Sequence, residues 1–112
     1  SGPRATLGPT WVIVDLENVA SIKEVVLYPR DGPGHEGESF PVALDVNVSL
    51  DGTQWKTVAS RADIAQGRDP LVLKFNPVHA RHVRVVGTML RQNPADGLYS
   101  MQFVELEVFG DP

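Results

Sequence analysis

The 112-residue sequence predicts an all-β domain made of antiparallel sheets packed face to face. Three observations point to it. Val42, Leu44, Val46, Val48 and Leu50 alternate with Ala43, Asp45, Asn47 and Ser49, which is the two-residue period of a strand with one buried face. Further β-rich runs cover residues 11–16, 22–28, 71–75, 82–87 and 101–109, each bounded by Gly, Pro, Asn or Asp. No long segment shows the 3.6-residue period of an amphipathic helix.

Taken in order, the opening SGPRATLGPT holds Gly, Pro and one Arg but no apolar stretch of the ~7 to 15 residues that a signal peptide requires. It reads as a linker over residues 1–10, ahead of one binding domain over 11–110 and a short tail at 111–112. Trp11 to Leu16 and Ile22 to Tyr28 supply the first two strands, and Val42 to Leu50 the next. Asp51 and Gly52 follow, a favoured hairpin pair because both central positions of a type I′ turn take positive φ. Trp55, Thr57 and Val58 then resume the β pattern. Ser60 is a candidate N-cap for a turn of helix over Ala62 to Gln66. In the last strand Val104, Leu106 and Val108 lie on one face and Glu105 and Glu107 on the other. Trp11, Trp55, Phe75 and Phe103 sit in strand patterns and are expected in the core.

Composition narrows the function classes. A 42% hydrophobic chain of this length has room for one core, and no apolar run approaches the ~20 residues of a membrane-spanning helix. Ten Lys and Arg against fourteen Asp and Glu give a net charge of −4. Nucleic-acid and anionic-lipid partners call for a basic surface, so neither is expected. The chain has no cysteine, which excludes disulfides, thiolate metal sites and a cysteine nucleophile.

Two connections exceed hairpin length, Pro29 to Phe40 and Arg91 to Leu98, and loops on a fixed scaffold carry most binding groups. In the first, His35 and Glu36 are flanked by glycines and lie near Arg30, Asp31 and Glu38. Such donors and acceptors suit a sugar or a metal, and one His among carboxylates is weak support for the metal, which usually takes three or four ligands at set spacing. Tyr99 borders the second loop and is the aromatic expected to reach a ligand. His79 and His82 are three apart, so a strand would not point both imidazoles the same way, and both read as surface residues at a strand entrance. Glu105 and Glu107 share a face, but glycosidase carboxylates stand ~5 to 9 Å apart across a cleft and usually come from different elements. The plainer reading is a solvated strand face, or one carboxylate serving a structural cation. No Gly-x-Ser-x-Gly, phosphate loop, His-Glu-x-x-His or dinucleotide fingerprint occurs, so no catalytic residue is expected.

Several segments together resemble the discoidin, or coagulation-factor type C, family with its galactose-binding modules of bacterial enzymes. WVIVDLENVASIKEVVLYPR is similar to the family's opening, which runs into a Pro-Arg pair. DVNVSLDGTQWKTVAS resembles its Ser-x-Asp-Gly hairpin with a following Trp, ARHVRVVGT its Ala-Arg-x-Val-Arg strand, and FVELEVFG its closing strand. The resemblance implies an antiparallel jelly-roll β-sandwich that binds glycans, lipids or proteins through loops at one end. In the sugar-binding members an Arg after the Pro and a polar residue about five positions later bond hydroxyls, and a loop aromatic stacks on the sugar. Arg30 matches the first, His35 stands where Asn is usual, and Tyr99 is the candidate aromatic. The family's structural calcium would fall on Glu105, although the preceding loop that supplies most of its oxygens is not among these residues.

The resulting expectation is a non-catalytic module that recognises galactose-type or related glycans and targets a larger secreted protein. The alternative is a structural or protein-docking module within a multidomain enzyme, contacting neighbouring domains through apolar residues such as Leu90, Leu98 and Met101. The family's further residues ahead of the Trp11 strand are absent here, so an unpaired edge, a partner segment or self-association is also expected.

Overall fold

The computed structural model describes residues 4–7, 10–29, 40–65, 67, 69–92, 99–100 and 105–111. They form β1 (Arg4–Leu7), β2 (Trp11–Tyr28), β3 (Ala43–Ser49), β4 (Lys56–Arg61), β5 (Leu71–Met89), β6 (Arg91–Gln92), β7 (Tyr99–Ser100) and β8 (Glu105–Asp111). Every pairing among them is antiparallel.

Two pairs of expected strands are each one long strand. Residues 11–16 and 22–28 merge into β2, and 71–75 and 82–87 into β5. These two strands pair along their whole length, Trp11 to Asp15 against Val86 to His82 and then Ala20 to Leu27 against Ala80 to Leu71. Between the two stretches, residues 16–19 of β2 stand opposite Arg81 alone, a bulge that bends the ribbon without ending it. Glu17 takes φ 73° there, and its N–H donates to Asp15 Oδ1 at 2.8 Å. Arg81 spans the bend from the other strand, donating from Nε at 2.9 Å and Nη2 at 3.2 Å to the two oxygens of Asp15.

The bend makes two layers from one sheet. On one side of it the order is β1, β2, β5, β3, β4; on the other, β2 lies between β8 and β5. The two expected sheets are thus halves of one continuous six-stranded sheet. The wide half turns Leu44, Val46, Val48, Val83 and Val85 inward, and the narrow half Ile22, Val25, Leu27 and Leu73, into a single buried cluster. Phe40 joins it at 2% exposure.

Other expectations change on contact with the structure. Residues 4–7, in the stretch read as a linker, pair with Val12 to Asp15 as β1. The helical turn at Ala62 to Gln66 is not formed over 62–65: Asp63 takes φ 53°, and the Ile64 N–H donates to the Val42 carbonyl at 2.9 Å, which holds the segment against β3. The β3–β4 connection is wider than a type I′ turn. Gly52 has φ 82° but Asp51 does not take positive φ; instead its carboxylate accepts from the N–H groups of Thr53 and Gln54, both at 2.9 Å. Ser49 Oγ accepts from the Gly52 N–H at 2.8 Å, so side chains rather than backbone shape this turn.

β8 depends on a close approach at Gly110, opposite Ile22. A Cβ there would collide with the Ser21 carbonyl oxygen and lie 2.6 Å from Ile22 Cα. Gly110→Ala should therefore push β8 off β2 and cost about 1–3 kcal/mol, the usual range for overpacking. Gly67→Ala, where an added Cβ meets nothing within 4 Å, is the control. Urea denaturation that ranks both variants with the wild type would contradict this.

Candidate functional site

The loop expected to bind ligand leaves the sandwich at a well-anchored end. Pro29, Phe40 and Pro41 are buried, so both feet of the segment 30–39 are fixed in the core. A hollow of about 270 Å³ lies between these feet, walled by Pro29, Phe40, Ile64 and Leu71, with Asp69 exposed at its edge. Hydrogen bonds from Val42 N–H to the Met89 carbonyl at 2.8 Å, and from Ile64 N–H to Val42, bring the end of β5 to the same place. β6 follows β5 after Leu90 and pairs Gln92 with Tyr99 of β7.

Arg30, His35 and Glu36 lie outside the described residues. Tyr99 opens β7, and Glu105 opens β8 opposite Tyr28, the last residue of β2. Two positions on, the Glu107 carboxylate accepts a hydrogen bond from the Tyr28 hydroxyl at 2.5 Å. Calcium needs six to eight oxygen ligands. Among the described residues no three His, Asp or Glu side chains group closely enough to hold a metal ion.

Sequence reasoning missed a polar cluster on the outward face of the wide layer. Trp55, expected in the core, lies on this face instead, with the Arg84 guanidinium 4.2 Å from its ring centroid. Arg84 Nε donates to Asn47 Oδ1 at 2.9 Å, and Asn47 Nδ2 donates to Thr57 Oγ1 at 2.8 Å, so one chain of bonds crosses β5, β3 and β4. It satisfies Asn47, which is only 6% exposed. His82 is no residue of a strand entrance. It sits mid-strand with an 18% exposed side chain, edge-on to Trp55 at 6.4 Å, and its Nδ1 is buried with no partner. The signal was in the sequence: with Val83 and Val85 inward, strand alternation sends His82 and Arg84 outward. Nothing in that alternation says that Trp55 lies across them.

The ribbon β2–β5, the side-chain-built turn after β3 and the closing strand β8 thus occupy the four segments whose sequences form the recognisable pattern. The family model for the F5/8 type C domain matches residues 2–101. The chain belongs to the F5/8 type C domain family. No curated protein matches it at a significant level. Among solved structures, this F5/8 type C domain is similar to chitosan-binding module 2 of a chitosanase/glucanase from Paenibacillus sp. IK-5, in complex with chitotriose. The two are 26% identical, covering 95% of this chain and 73% of that one at a TM-score of 0.72. It is also similar to CpGH89CBM32-5 from Clostridium perfringens, in complex with GalNAc-β-1,3-galactose, at 21% identity and a TM-score of 0.71. That match covers 89% of this chain and 65% of that one, just under two thirds of its length. A glycoside hydrolase 29 family member from an unknown rumen bacterium aligns at 20% identity and a TM-score of 0.78, over 97% of this chain and 19% of that one. The last two likenesses establish the β-sandwich fold.

The bend that carries the F5/8 type C domain's two layers has an electrostatic signature. The hydrogen bond from Arg81, and next the Glu17 N–H, lower the Asp15 carboxyl from 3.8 to about 2. A depressed folded value means that the stabilising effect is complete above 3.8 and is lost as pH falls through about 2. Asp15→Asn should therefore be less stable than the wild type at neutral pH and lose less stability across that acid window. Urea midpoints measured through the window test this, and parallel curves would contradict it.

Proposed function

We propose that this domain is a non-catalytic carbohydrate-binding module that holds galactose-type or related glycans at the Pro29–Phe40 end and targets a larger, extracellular protein to them. The observation that supports this most is the 26% identity to a module in complex with chitotriose, over 95% of the chain. A solved module of the same fold is in complex with GalNAc-β-1,3-galactose. In this reading Arg30 bridges adjacent hydroxyls with its guanidinium fork, His35 and Glu36 donate and accept beside it, and the Tyr99 ring covers the apolar C–H face of the sugar. Firm feet at Pro29 and Phe40 suit that task, because a ligand loop on fixed ends loses less conformational freedom on binding.

A docking role within a multidomain enzyme is the second reading. Val72 and Phe109, 40% and 44% exposed, lie on the outward face of the narrow layer, one on each side of β2. Such a face suits contact with a neighbouring domain.

Isothermal titration with galactose, N-acetylgalactosamine and chitotriose separates the two readings. Saturable heat with at least one sugar, abolished in Arg30→Ala, is the expected result. No heat with any of them, from protein shown to be folded, would leave the docking role.

A further inference from the structure

The sandwich is open along one side, away from the loop end, where the first half of β5 and the strand β4 form facing edges of the two layers. β5 pairs with β2 through Leu71 to Val78 and with β3 only from His82 onward, so its early residues border this opening. Two hollows of about 380 and 240 Å³ lie there and share Lys56 and Val78, which makes them one cleft. Its floor is the margin of the core: Val58, Phe75 and Val78 are partly buried and pack against the central cluster. Along β5 it runs from Phe75 to His79, about 13 Å at ~3.3 Å per strand residue.

The rim is polar and uncommitted. The side chains of Gln54, Lys56, Asn76 and His79 reach no hydrogen-bond or ion-pair partner among the described residues, and all four residues are exposed. Trp55 borders the same cleft while Arg84 covers one face of its ring. The chain as a whole has net charge −4, yet among the described residues no carboxylate lines either hollow, and the Lys56 ammonium lines both. An apolar floor with an aromatic wall and free amide and cationic donors is complementary to a sugar ring that also bears negative charge. Pro77, with no N–H, interrupts the β5 edge and opposes the other natural occupant, a peptide added as a strand.

We infer that the cleft between β4 and β5 is a second carbohydrate site, taking a short stretch of acidic, carboxylate-bearing oligosaccharide, with Trp55 as its wall, Lys56 as its charge partner and His79 as a hydrogen-bonding side chain beside it. It is separate from the loop-end site and does not depend on that site binding sugar.

The test is amide and side-chain shift mapping by NMR on the full 112-residue chain, titrated with tetragalacturonate and, separately, with neutral cellotetraose. The expected result is saturable shifts centred on Gln54, Lys56 and His79 with tetragalacturonate, and much weaker ones with cellotetraose. Lys56→Glu should weaken tetragalacturonate on the order of tenfold, and Arg30→Ala should leave it unchanged. Lys56 is exposed, so a dispersed spectrum that overlays the wild type elsewhere shows that this variant folds. No binding, equal binding of the neutral sugar, or shifts confined to Phe40, Ile64 and Leu71 would overturn the inference. So would loss in Arg30→Ala with Lys56→Glu unaffected. Failure of galactose at the loop end leaves these outcomes as they are.

Discussion

The antiparallel pairing of β2 with β5 is the interaction on which the rest of the structure depends. These strands run through both layers, so the ribbon they form belongs to the wide half at one end and to the narrow half at the other. A pair of separate sheets would be held together by side-chain burial alone. Here the backbone ladder continues across the bend, and burial adds to it: Val83 and Val85 from one half of β5 meet Leu73 from the other in the same cluster. The cost of the bend falls on a few residues. Glu17 takes a left-handed conformation that non-glycine residues rarely adopt, and the Asp15 carboxylate offsets this by accepting from the Glu17 N–H and from Arg81 together.

Function follows from where a folded ribbon leaves openings. The bend closes one end of the sandwich. At the other end the terminus of β2, the start of β8, the start of β5 and the end of β5 converge, and the connections 30–39 and 93–98 depart from there. Loops rooted in Pro29 and Phe40 can vary in sequence without disturbing the core, as expected of a domain that binds through its loops. The narrow layer also leaves the early part of β5 paired with β2 on one edge and with no strand on the other among the described residues, and that makes the lateral cleft. One topological choice, a wide half with β3 and β4 and a narrow half without them, accounts for both proposed sites.

Much of this was legible in the sequence, and the failures have physical causes. The alternation through Val42 to Leu50 placed Leu44, Val46 and Val48 in the core, but it fails at the end of the strand, where Asn47 and Ser49, read as the wet face, are buried and Leu50 is 60% exposed. In the closing strand Leu106 and Val108 pack, partly buried, against the same core. The long strands were not legible: Glu17 and Asn18 interrupt the apolar pattern and look like a loop, while the ladder around them continues through a bulge that leaves no compositional mark. Trp55 was misplaced because bulk and hydrophobicity suggest a core residue, whereas on the outward face its ring is stacked by the Arg84 guanidinium, which also bonds Asn47. The Asp51-Gly52 pair correctly marked a turn, but the type was decided by the carboxylate of Asp51 and the hydroxyl of Ser49. Of the candidate ligand residues, the backbones of Tyr99 and Glu105 are placed, and Arg30, His35 and Glu36 fall outside the described residues.

Native-state hydrogen exchange along β2 and β5, followed through increasing denaturant, tests most directly whether this ribbon unites the two layers. If it does, amides of Val25 and Leu73 in the narrow half and of Val14 and Val83 in the wide half open with the same free energy and the same denaturant dependence, equal to those of global unfolding. Exchange of the narrow half at a clearly lower free energy, with the wide half still protected, would contradict the account and make the two layers separate units joined only by their chain.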